Sequence, residues 1–297
     1  MSFSADNCRV DSLHESLKLP IDVLRLDLLH PVVSGNKWFK LKEYLRLAEM
    51  EKKREVVTFG GPYSNHLVAT AAAANNNGLQ SIGLIRGERP SLLSHTLLDA
   101  ERFGMKLHFL SRTEYAQKII PAAITDLIER ENFIVVPEGG SGIPGMKGAK
   151  DILKNVDLEN YSHIVTAVGT GTTLAGMVAA SPPGIKLIGI PVLKGALSLQ
   201  NDINALLLDE KQGCFTLIDK YHFGGYAKKT AELIAFMNDF YEATSIPSDF
   251  VYTGKTFYAV LDLFRQRYFS EKDKVLVIHT GGLQGNRSLP KGTLIFG

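Results

Sequence analysis

Two lysines occur where the sequence predicts the start of a helix. In Ser34–Leu41, Ser34 or Asn36 can act as the N-cap, and the apolar spacing that follows is helical. Lys37 and Lys40 then fall in the first turn, where the helix dipole favours anions and disfavours cations. One interpretation is that both lysines are solvated. The other is an anion-binding helix start at which a lysine becomes neutral and nucleophilic, as Schiff-base chemistry requires.

Polar side chains are also concentrated where a predicted strand leads into an alanine-rich helix. Phe59–His66 holds two adjacent glycines, followed by Tyr63, Ser64, Asn65 and His66. Glycines let a ligand approach the backbone closely, and Ser64 or Asn65 can cap the helix. Ligands of α/β proteins bind at the carboxyl ends of strands, so this segment indicates a binding site more strongly than an ordinary strand–turn–helix passage would.

A second strand–loop–helix passage, Val168–Gly176, is rich in glycine and threonine. Its backbone N–H groups and the hydroxyls of Thr170, Thr172 and Thr173 offer a phosphate cradle around Gly171. No Gly-Lys-Ser/Thr follows, so it is not a Walker A loop. A dinucleotide site is disfavoured because its third glycine is replaced and no acidic residue ends the next strand. The loop therefore indicates a phosphorylated cofactor or substrate without a bound ribose.

Two further segments carry polar groups, Asp249–Thr256 and Ile278–Gly282. Tyr252 alone is more often a packing residue than an acid–base catalyst, and His279 alone is more often structural than catalytic. Neither segment defines a site unaided.

The elements that must position these residues alternate between short apolar runs and helical patterns. This alternation predicts an α/β protein with open, mostly parallel sheets flanked by helices. Helical faces are predicted from Leu41 to Ala48, from Leu92 to Ala100 and from Leu233 to Tyr241. The predicted strands are Glu55–Phe59, Ser81–Arg86, Lys106–Leu110, Phe133–Pro137, Ser162–Val168, Lys186–Pro191, Cys214–Asp219 and Lys274–His279.

A glycine-rich stretch, Pro137–Lys147, interrupts the alternation after four of the predicted strands. We therefore expect two lobes with a ligand in the cleft between them. Residues 1–45 and 150–297 are expected to form a large cofactor-binding domain, and residues 46–149 a small domain.

Composition excludes several classes of protein. The formal net charge is +2 and no block of basic residues concentrates it, which argues against a nucleic-acid partner. No apolar run approaches the roughly 20 residues that span a bilayer, and the first residues have no apolar signal core. Cys8 and Cys214 are the only cysteines and belong to no metal-binding pattern. We expect a cytoplasmic protein without a metal or membrane partner.

Taken together, the polar segments resemble one family, because five motifs occur in the right order. They are Gly35-Asn36-Lys37 with Lys40-Leu41, Ser64-Asn65, Thr170–Thr173, Tyr252–Lys255 and His279–Gly282. The pattern resembles the 1-aminocyclopropane-1-carboxylate deaminase and D-cysteine desulfhydrase family, which has the type II pyridoxal-phosphate fold of the tryptophan synthase β-subunit. The resemblance runs from about residue 20 to the end of the sequence and implies pyridoxal 5′-phosphate, a small amino-acid substrate and a homodimer.

The resemblance also implies roles for individual residues. Lys37 would carry the cofactor covalently and move the substrate α-proton, and Ser64 would meet the substrate carboxylate or act at the reacting carbon. Tyr226 and Tyr252 would face the substrate. The remaining cofactor ligands implied are Lys40 and Thr170, Gly171, Thr172 and Thr173 for the phosphate, Asn65 for the 3′-oxygen, and Thr253 or Thr280 for the pyridine nitrogen.

The sequence departs from the family pattern at two positions, with Phe39 where arginine is usual and Tyr63 where glutamine is usual. Both departures concern the substrate more than the cofactor. Ring-opening members usually carry Glu and Leu where this chain has Thr253 and Thr280. A carboxylate keeps the pyridine nitrogen protonated and makes the ring a strong electron sink, whereas a hydroxyl does not.

The sequence therefore favours β-elimination from D-cysteine, giving pyruvate, ammonia and sulfide. The alternative is 1-aminocyclopropane-1-carboxylate deaminase. A non-catalytic two-lobed binding protein is the alternative of another class, and it would not need Lys37.

Overall fold

The computed structural model describes residues 8–125 and 132–296. These residues divide into two compact units, a smaller one of residues 37–148 and a larger one of residues 8–36 and 149–296. Strands and helices are numbered along the whole chain. No helix of the described residues is long and apolar enough to cross a membrane.

The larger unit is built on a six-stranded sheet. Its strands are β1 (Val10–Ser12), β2 (Ile21–Arg25), β7 (His163–Val168), β8 (Lys186–Pro191), β9 (Phe215–Leu217) and β10 (Val275–His279). They lie in the order β1-β2-β10-β7-β8-β9, and every neighbouring pair is parallel except β1 with β2. Its helices are α1 (His14–Leu17), α8 (Thr172–Ala180), α9 (Leu197–Asn204), α10 (Ala231–Thr244) and α11 (Thr253–Arg265).

The smaller unit contains a four-stranded parallel sheet. Its strands are β3 (Glu55–Gly60), β4 (Gln80–Arg86), β5 (Met105–Leu110) and β6 (Phe133–Val136), in the order β5-β4-β3-β6. The helices are α2 (Asn36–Met50), α3 (Asn65–Asn76), α4 (His95–Arg102), α5 (Arg112–Gln117), α6 (Ala122–Thr125) and α7 (Ile143–Ala149). Both units also contain short 3-10 turns. They are Leu26–Leu28, Glu138–Gly140, Lys150–Leu153, Asp209–Lys211, Asp219–Tyr221 and Leu283–Ser288.

Burial explains why the central strands have nearly continuous apolar sequences. All residues of β7 and β10 are buried, as expected for parallel strands covered on both faces. In the larger unit Phe240 of α10 stacks on Phe257 of α11, with ring centroids 4.5 Å apart, within the core that covers the sheet. In the smaller unit α3 buries residues 66–74, five of which are alanine. Open, mostly parallel sheets flanked by helices are therefore confirmed.

Three details of the predicted elements were wrong. Strands β1 and β2 were not predicted. The expected strand Cys214–Asp219 is shortened to Phe215–Leu217, because turns begin on either side. The helical face predicted from Leu92 starts too early, since α4 begins at His95 with Ser94 as its cap and Leu92 is 85% exposed.

Candidate active site

The two lysines of the predicted helix start lie near the start of α2, Lys37 on its first turn and Lys40 at the beginning of the second. Asn36 is the first helical residue rather than a cap before the helix. Lys37 is half-buried, whereas Lys40 is only 2% exposed. Burial lowers the pKa of Lys40 well below its ordinary value, and the charge of Lys37 lowers it further. Two neighbouring lysines near a helix start, one of them buried, favour an anionic ligand, because a negative charge stabilises the charged form of the amine.

A turn of the smaller unit lies close to Lys40. A Cβ added to Gly140 would lie 3.3 Å from Lys40 Cβ and 3.7 Å from His66 Cε1, so a glycine lets this turn approach both side chains. Gly140 has a φ of +66°, a conformation that glycine adopts at little cost.

His66 is buried and neutral. Its Nε2 lies 2.8 Å from Thr58 Oγ1, and Thr58 gives its own hydroxyl hydrogen to the carbonyl of Val136 at 2.7 Å. The Nε2 atom must therefore carry the hydrogen that Thr58 accepts. Burial lowers the pKa of His66 well below its ordinary value, and Lys37 and Lys40 add to that shift. His66 was singled out only as part of a polar run, and its burial was not predicted.

The two departures from the family pattern differ in their surroundings. Phe39 is 2% exposed, and a Cβ on Gly148 would lie 1.9 Å from the Phe39 carbonyl oxygen, so this position belongs to the packing of the smaller unit. Tyr63 is 60% exposed, and its ring lies 6.0 Å from that of His95. The residue after it, Ser64, occupies the N-cap position of α3, but its side chain makes no capping hydrogen bond.

In the larger unit the sheet order brings three polar segments to one edge. Strands β2, β10 and β7 are neighbours, so the residues that follow their carboxyl ends are close together. A Cβ on Gly35 would lie 1.9 Å from the carbonyl oxygen of Thr280, which makes glycine obligatory at this approach. The Asn36 N–H donates to that same oxygen at 3.2 Å, and Asn36 Nδ2 donates to Thr173 Oγ1 at 2.8 Å.

The threonine loop after β7 opens helix α8. Gly171 is the N-cap residue with a φ of +77°, and a Cβ there would lie 2.4 Å from Ile203 Cγ1. No side chain caps α8, and Thr172 at its start is fully buried. The hydroxyls of Thr170 and Thr172 are 3.1 Å apart. Helix N–H groups together with hydroxyls form a set of donors suited to a phosphate.

A buried carboxylate organises the start of α11. Asp249 accepts hydrogen bonds from the backbone N–H groups of Val251, Tyr252 and Thr253, each at 2.9 Å. Burial raises the pKa of Asp249, and these hydrogen bonds oppose that shift. The Thr253 hydroxyl donates to Asp249 Oδ1 at 2.8 Å and accepts the Asp249 N–H at 2.8 Å. The hydrogen of the Thr253 hydroxyl is thus committed to the protein. Asp249 was not predicted, although an Asp four residues before a Thr at a helix start is a recognisable signal.

Two tyrosines meet in the larger unit. The Tyr252 hydroxyl donates to the Tyr226 hydroxyl at 3.3 Å, and their ring centroids are 6.0 Å apart. A Cβ on Gly169 would lie 3.4 Å from Tyr252 Cε1, so Tyr252 packs beside the loop after β7. Tyr226 is 45% exposed. The pair therefore joins an accessible phenol to one beside the threonine loop.

Thr280 follows His279, which is structural. His279 is fully buried, its Nε2 lies 2.7 Å from the Pro247 carbonyl oxygen, and its Nδ1 accepts the Gly281 N–H at 3.2 Å. The Thr280 side chain is 7% exposed, and its hydroxyl makes no hydrogen bond with another residue of the described part of the chain. Thr280, unlike Thr253, therefore has a hydroxyl hydrogen available to a ligand.

Comparison with known proteins defines the class of protein. Residues 8–281 match the family described as "Pyridoxal-phosphate dependent enzyme". The chain is 32% identical over 298 residues to a "Putative 1-aminocyclopropane-1-carboxylate deaminase" of Thermotoga maritima, covering 92% of each sequence. It is 29% identical to a "Bifunctional D-cysteine desulfhydrase/1-aminocyclopropane-1-carboxylate deaminase, mitochondrial" of Arabidopsis thaliana, covering 89% of this chain and 72% of that protein.

A solved structure described as an ACC deaminase homologue superposes with a TM-score of 0.82 at 27% identity, covering 96% of this chain and 92% of that one. The chain belongs to the family of pyridoxal-phosphate dependent enzymes. The predicted family, type II fold, enzyme class and cofactor are confirmed.

The residues present fit this cofactor. Its phosphate needs donors and positive charge. The start of α8 is uncapped by any side chain and carries the hydroxyls of Thr170 and Thr172, and Lys40 is a buried amine. Of the predicted site residues, Lys37, Lys40, Ser64 and Asn65 lie in the smaller unit, and Thr170–Thr173, Tyr226, Tyr252, Thr253 and Thr280 lie in the larger unit.

Proposed function

We propose that this enzyme eliminates the β-substituent of a small D-amino acid, with D-cysteine giving pyruvate, ammonia and sulfide. The observation that carries the proposal is the hydroxyl, rather than a carboxylate, at both Thr253 and Thr280. A hydroxyl partner leaves the pyridine nitrogen closer to neutral, which suffices for a good leaving group such as hydrosulfide. The D-cysteine desulfhydrase activity in the name of the Arabidopsis relative supports the same reaction.

We assign the cofactor contacts as follows. Lys37 holds pyridoxal phosphate covalently, Asn65 binds its 3′-oxygen, and Lys40 with Thr170–Thr173 binds its phosphate. Thr280 is the partner of the pyridine nitrogen, because the hydroxyl hydrogen of Thr253 is already given to Asp249. When bound, the cofactor delocalises the negative charge that develops on the substrate α-carbon.

The remaining groups act on the substrate. Lys37 would take the substrate α-proton at its Nζ, because an unprotonated amine is a base. Ser64 binds the substrate carboxylate, and its availability is supported by the absence of a capping bond from its side chain. Tyr252 holds or delivers a proton at its hydroxyl, and the hydrogen bond to Tyr226 fixes that hydroxyl.

Deamination of 1-aminocyclopropane-1-carboxylate is the second candidate function. The name of the Thermotoga relative supports it, at the higher identity of the two relatives. Opening the ring breaks a carbon–carbon bond and demands a stronger electron sink than β-elimination does. Neither threonine supplies the carboxylate that would keep the pyridine nitrogen charged. We therefore rank this activity second.

The test is a panel assay of the cofactor-loaded enzyme. D-Cysteine, L-cysteine and 1-aminocyclopropane-1-carboxylate are incubated separately, and sulfide, ammonia and keto acid are measured. We expect D-cysteine to give the three products in equal amounts, with Lys37→Ala as the inactive control. Faster formation of 2-oxobutyrate from aminocyclopropane carboxylate than of sulfide from D-cysteine would overturn the assignment in favour of the second candidate.

We also infer that the enzyme works as a homodimer in the cytoplasm. The dimer follows from the family resemblance, and the reducing compartment is supported by the two free cysteines, Cys8 and Cys214. Light scattering coupled to size-exclusion chromatography tests this inference. A dimer should have twice the chain mass of 32.6 kDa. A single species at the chain mass would contradict it.

A further inference from the structure

A fully buried lysine of the larger unit has no role in the chemistry proposed above. Lys255 lies on the first turn of α11 and is 0% exposed. Its Nζ donates to the carbonyl oxygens of His222 at 2.9 Å and Gly225 at 2.8 Å. Burying an ammonium group is costly unless its hydrogen bonds are made within the protein. The two carbonyl partners are therefore the reason the group is tolerated there.

Those carbonyls belong to residues 222–227, a turn segment with two strained residues. Phe223 and Ala227 have φ angles of +50° and +53°, a left-handed region that is strained for residues other than glycine. The segment is closed by the Gly225 N–H, which donates to the His222 oxygen at 3.0 Å. The Lys255 ammonium group bridges that same oxygen and the Gly225 oxygen, and so joins the two ends of the turn.

The segment held in this way carries Tyr226. The carbonyl of Gly225 immediately precedes the Tyr226 nitrogen, and the Tyr226 hydroxyl accepts a hydrogen bond from Tyr252. Tyr252 lies three residues before Lys255, at the N-cap position of α11, where Asp249 fixes its backbone nitrogen. The start of α11 thus carries Tyr252 itself and anchors the segment of Tyr226 through Lys255.

We propose that Lys255 is a positioning residue that holds the Tyr226 segment so that the two phenol hydroxyls meet. Lys255 touches neither substrate nor cofactor in this proposal and acts only through Tyr226. The catalytic consequence rests on the function proposed above. The anchoring of residues 222–227 does not, and it is tested separately.

The first arm of the test measures anchoring without catalysis. Hydrogen exchange is followed in the cofactor-loaded full chain for peptides that span residues 222–229. Lys255→Met keeps the length of the side chain but removes its donors, and we expect exchange at the Gly225 and Lys228 amides to accelerate about ten-fold. Lys220→Met is the matched control, because exposed Lys220 also contacts α11, through Gln266 at its end, and should leave these amides unchanged.

The second arm measures turnover of D-cysteine. We expect Lys255→Met to lower kcat about ten-fold with little change in KM or cofactor affinity, since small displacements of acting groups are costly. In a Tyr226→Phe background the same change should add nothing, because both substitutions remove one interaction. Lys255→Gln, which keeps an N–H donor, should recover part of the activity. Lys255→Leu, which also removes the donors, replaces Lys255→Met in both arms if that variant fails to fold.

The outcomes separate the two proposals. Unchanged exchange in residues 222–229 overturns the anchoring role, and independent effects of the Lys255 and Tyr226 substitutions on kcat overturn the positioning role. If the unsubstituted enzyme turns over no amino acid in the panel, the proposed function fails while the exchange measurement still decides the anchoring.

Discussion

The candidate residues of the two units differ in how their buried charged groups are stabilised. In the smaller unit, basic side chains are placed near each other, and Lys40 and His66 are buried with pKa values well below their ordinary ranges. In the larger unit, the buried carboxylate of Asp249 receives three backbone N–H groups and a hydroxyl. Asp249 is therefore satisfied by the protein itself, whereas the basic cluster is a place where added negative charge is stabilising.

Because of this difference, we expect the two units to contribute differently to cofactor affinity and to turnover. A cluster of buried basic groups gains most when an anion binds, so its residues should control cofactor affinity and the stability of the cofactor-free protein. A fully hydrogen-bonded helix start is preorganised, so its residues should control turnover more than affinity. Substitutions that reverse these two patterns would break the comparison.

The largest effect is expected at Lys37. Lys37→Ala should lose turnover altogether, because the cofactor attachment and the base disappear together. Borohydride reduction followed by peptide mapping should place the pyridoxyl group of the unsubstituted enzyme on Lys37. Lys42→Ala, an exposed lysine of the same helix, is the control and should keep both activity and label. A label on any other lysine would contradict the assignment of Lys37 as the residue that holds the cofactor covalently.

At Lys40 we expect smaller effects, which weaken cofactor binding but stabilise the cofactor-free protein. Lys40→Met should weaken cofactor binding about 10- to 100-fold, because a charge-assisted hydrogen bond to phosphate is lost. The same change should stabilise the cofactor-free protein by about 1 kcal/mol, since methionine keeps the length of the side chain and removes a buried amine. Equilibrium dialysis and urea unfolding measure the two quantities. Unchanged cofactor affinity, or a destabilised cofactor-free protein, would contradict the interpretation of the basic cluster.

The sequence predicted the apolar strands well because burial on both faces leaves a visible pattern. It failed at β2, where all five residues are buried although Asp22 and Arg25 are charged. Arg25 is held by a two-point contact with Asp27 at 2.9 and 2.6 Å and by Asp11 at 2.8 Å. The partner Asp11 lies on β1, so the pairing that makes this burial possible is not visible in either segment alone.

Motif order predicted which segments belong to the candidate site, but it did not predict their hydrogen bonding. Motif order gave the loop after β7 and the segments of Tyr252 and Thr280. The difference between Thr253 and Thr280 was not predictable, because it depends on which hydroxyl Asp249 engages. Lys255 was visible in its motif, but its complete burial is a tertiary property, since lysine is usually exposed.

The smallest effect expected is a pH dependence of stability at Lys255. Burial lowers the pKa of this amine from its ordinary 10.5 to about 8, and the negative charge of Asp249 opposes that shift. Between pH 8 and 10.5 the unfolded chain therefore binds a proton that the folded chain has released. The contribution of Lys255 to the free energy of unfolding is at its most unfavourable below pH 8.

That contribution becomes less unfavourable as the pH rises through this window, by at most about 1.4 kcal/mol per pH unit. Lys255→Met has no such group, so its stability relative to the unsubstituted protein should fall as the pH rises from 8 to 10.5. Urea unfolding of both proteins across the window measures this difference, in which their other titrating groups cancel. Lys220→Met, at an exposed lysine, is the matched control for the loss of a lysine side chain. A flat difference for Lys255→Met would mean that the buried amine keeps its proton in the folded protein, and the larger unit would then hold a buried cation as firmly as it holds Asp249.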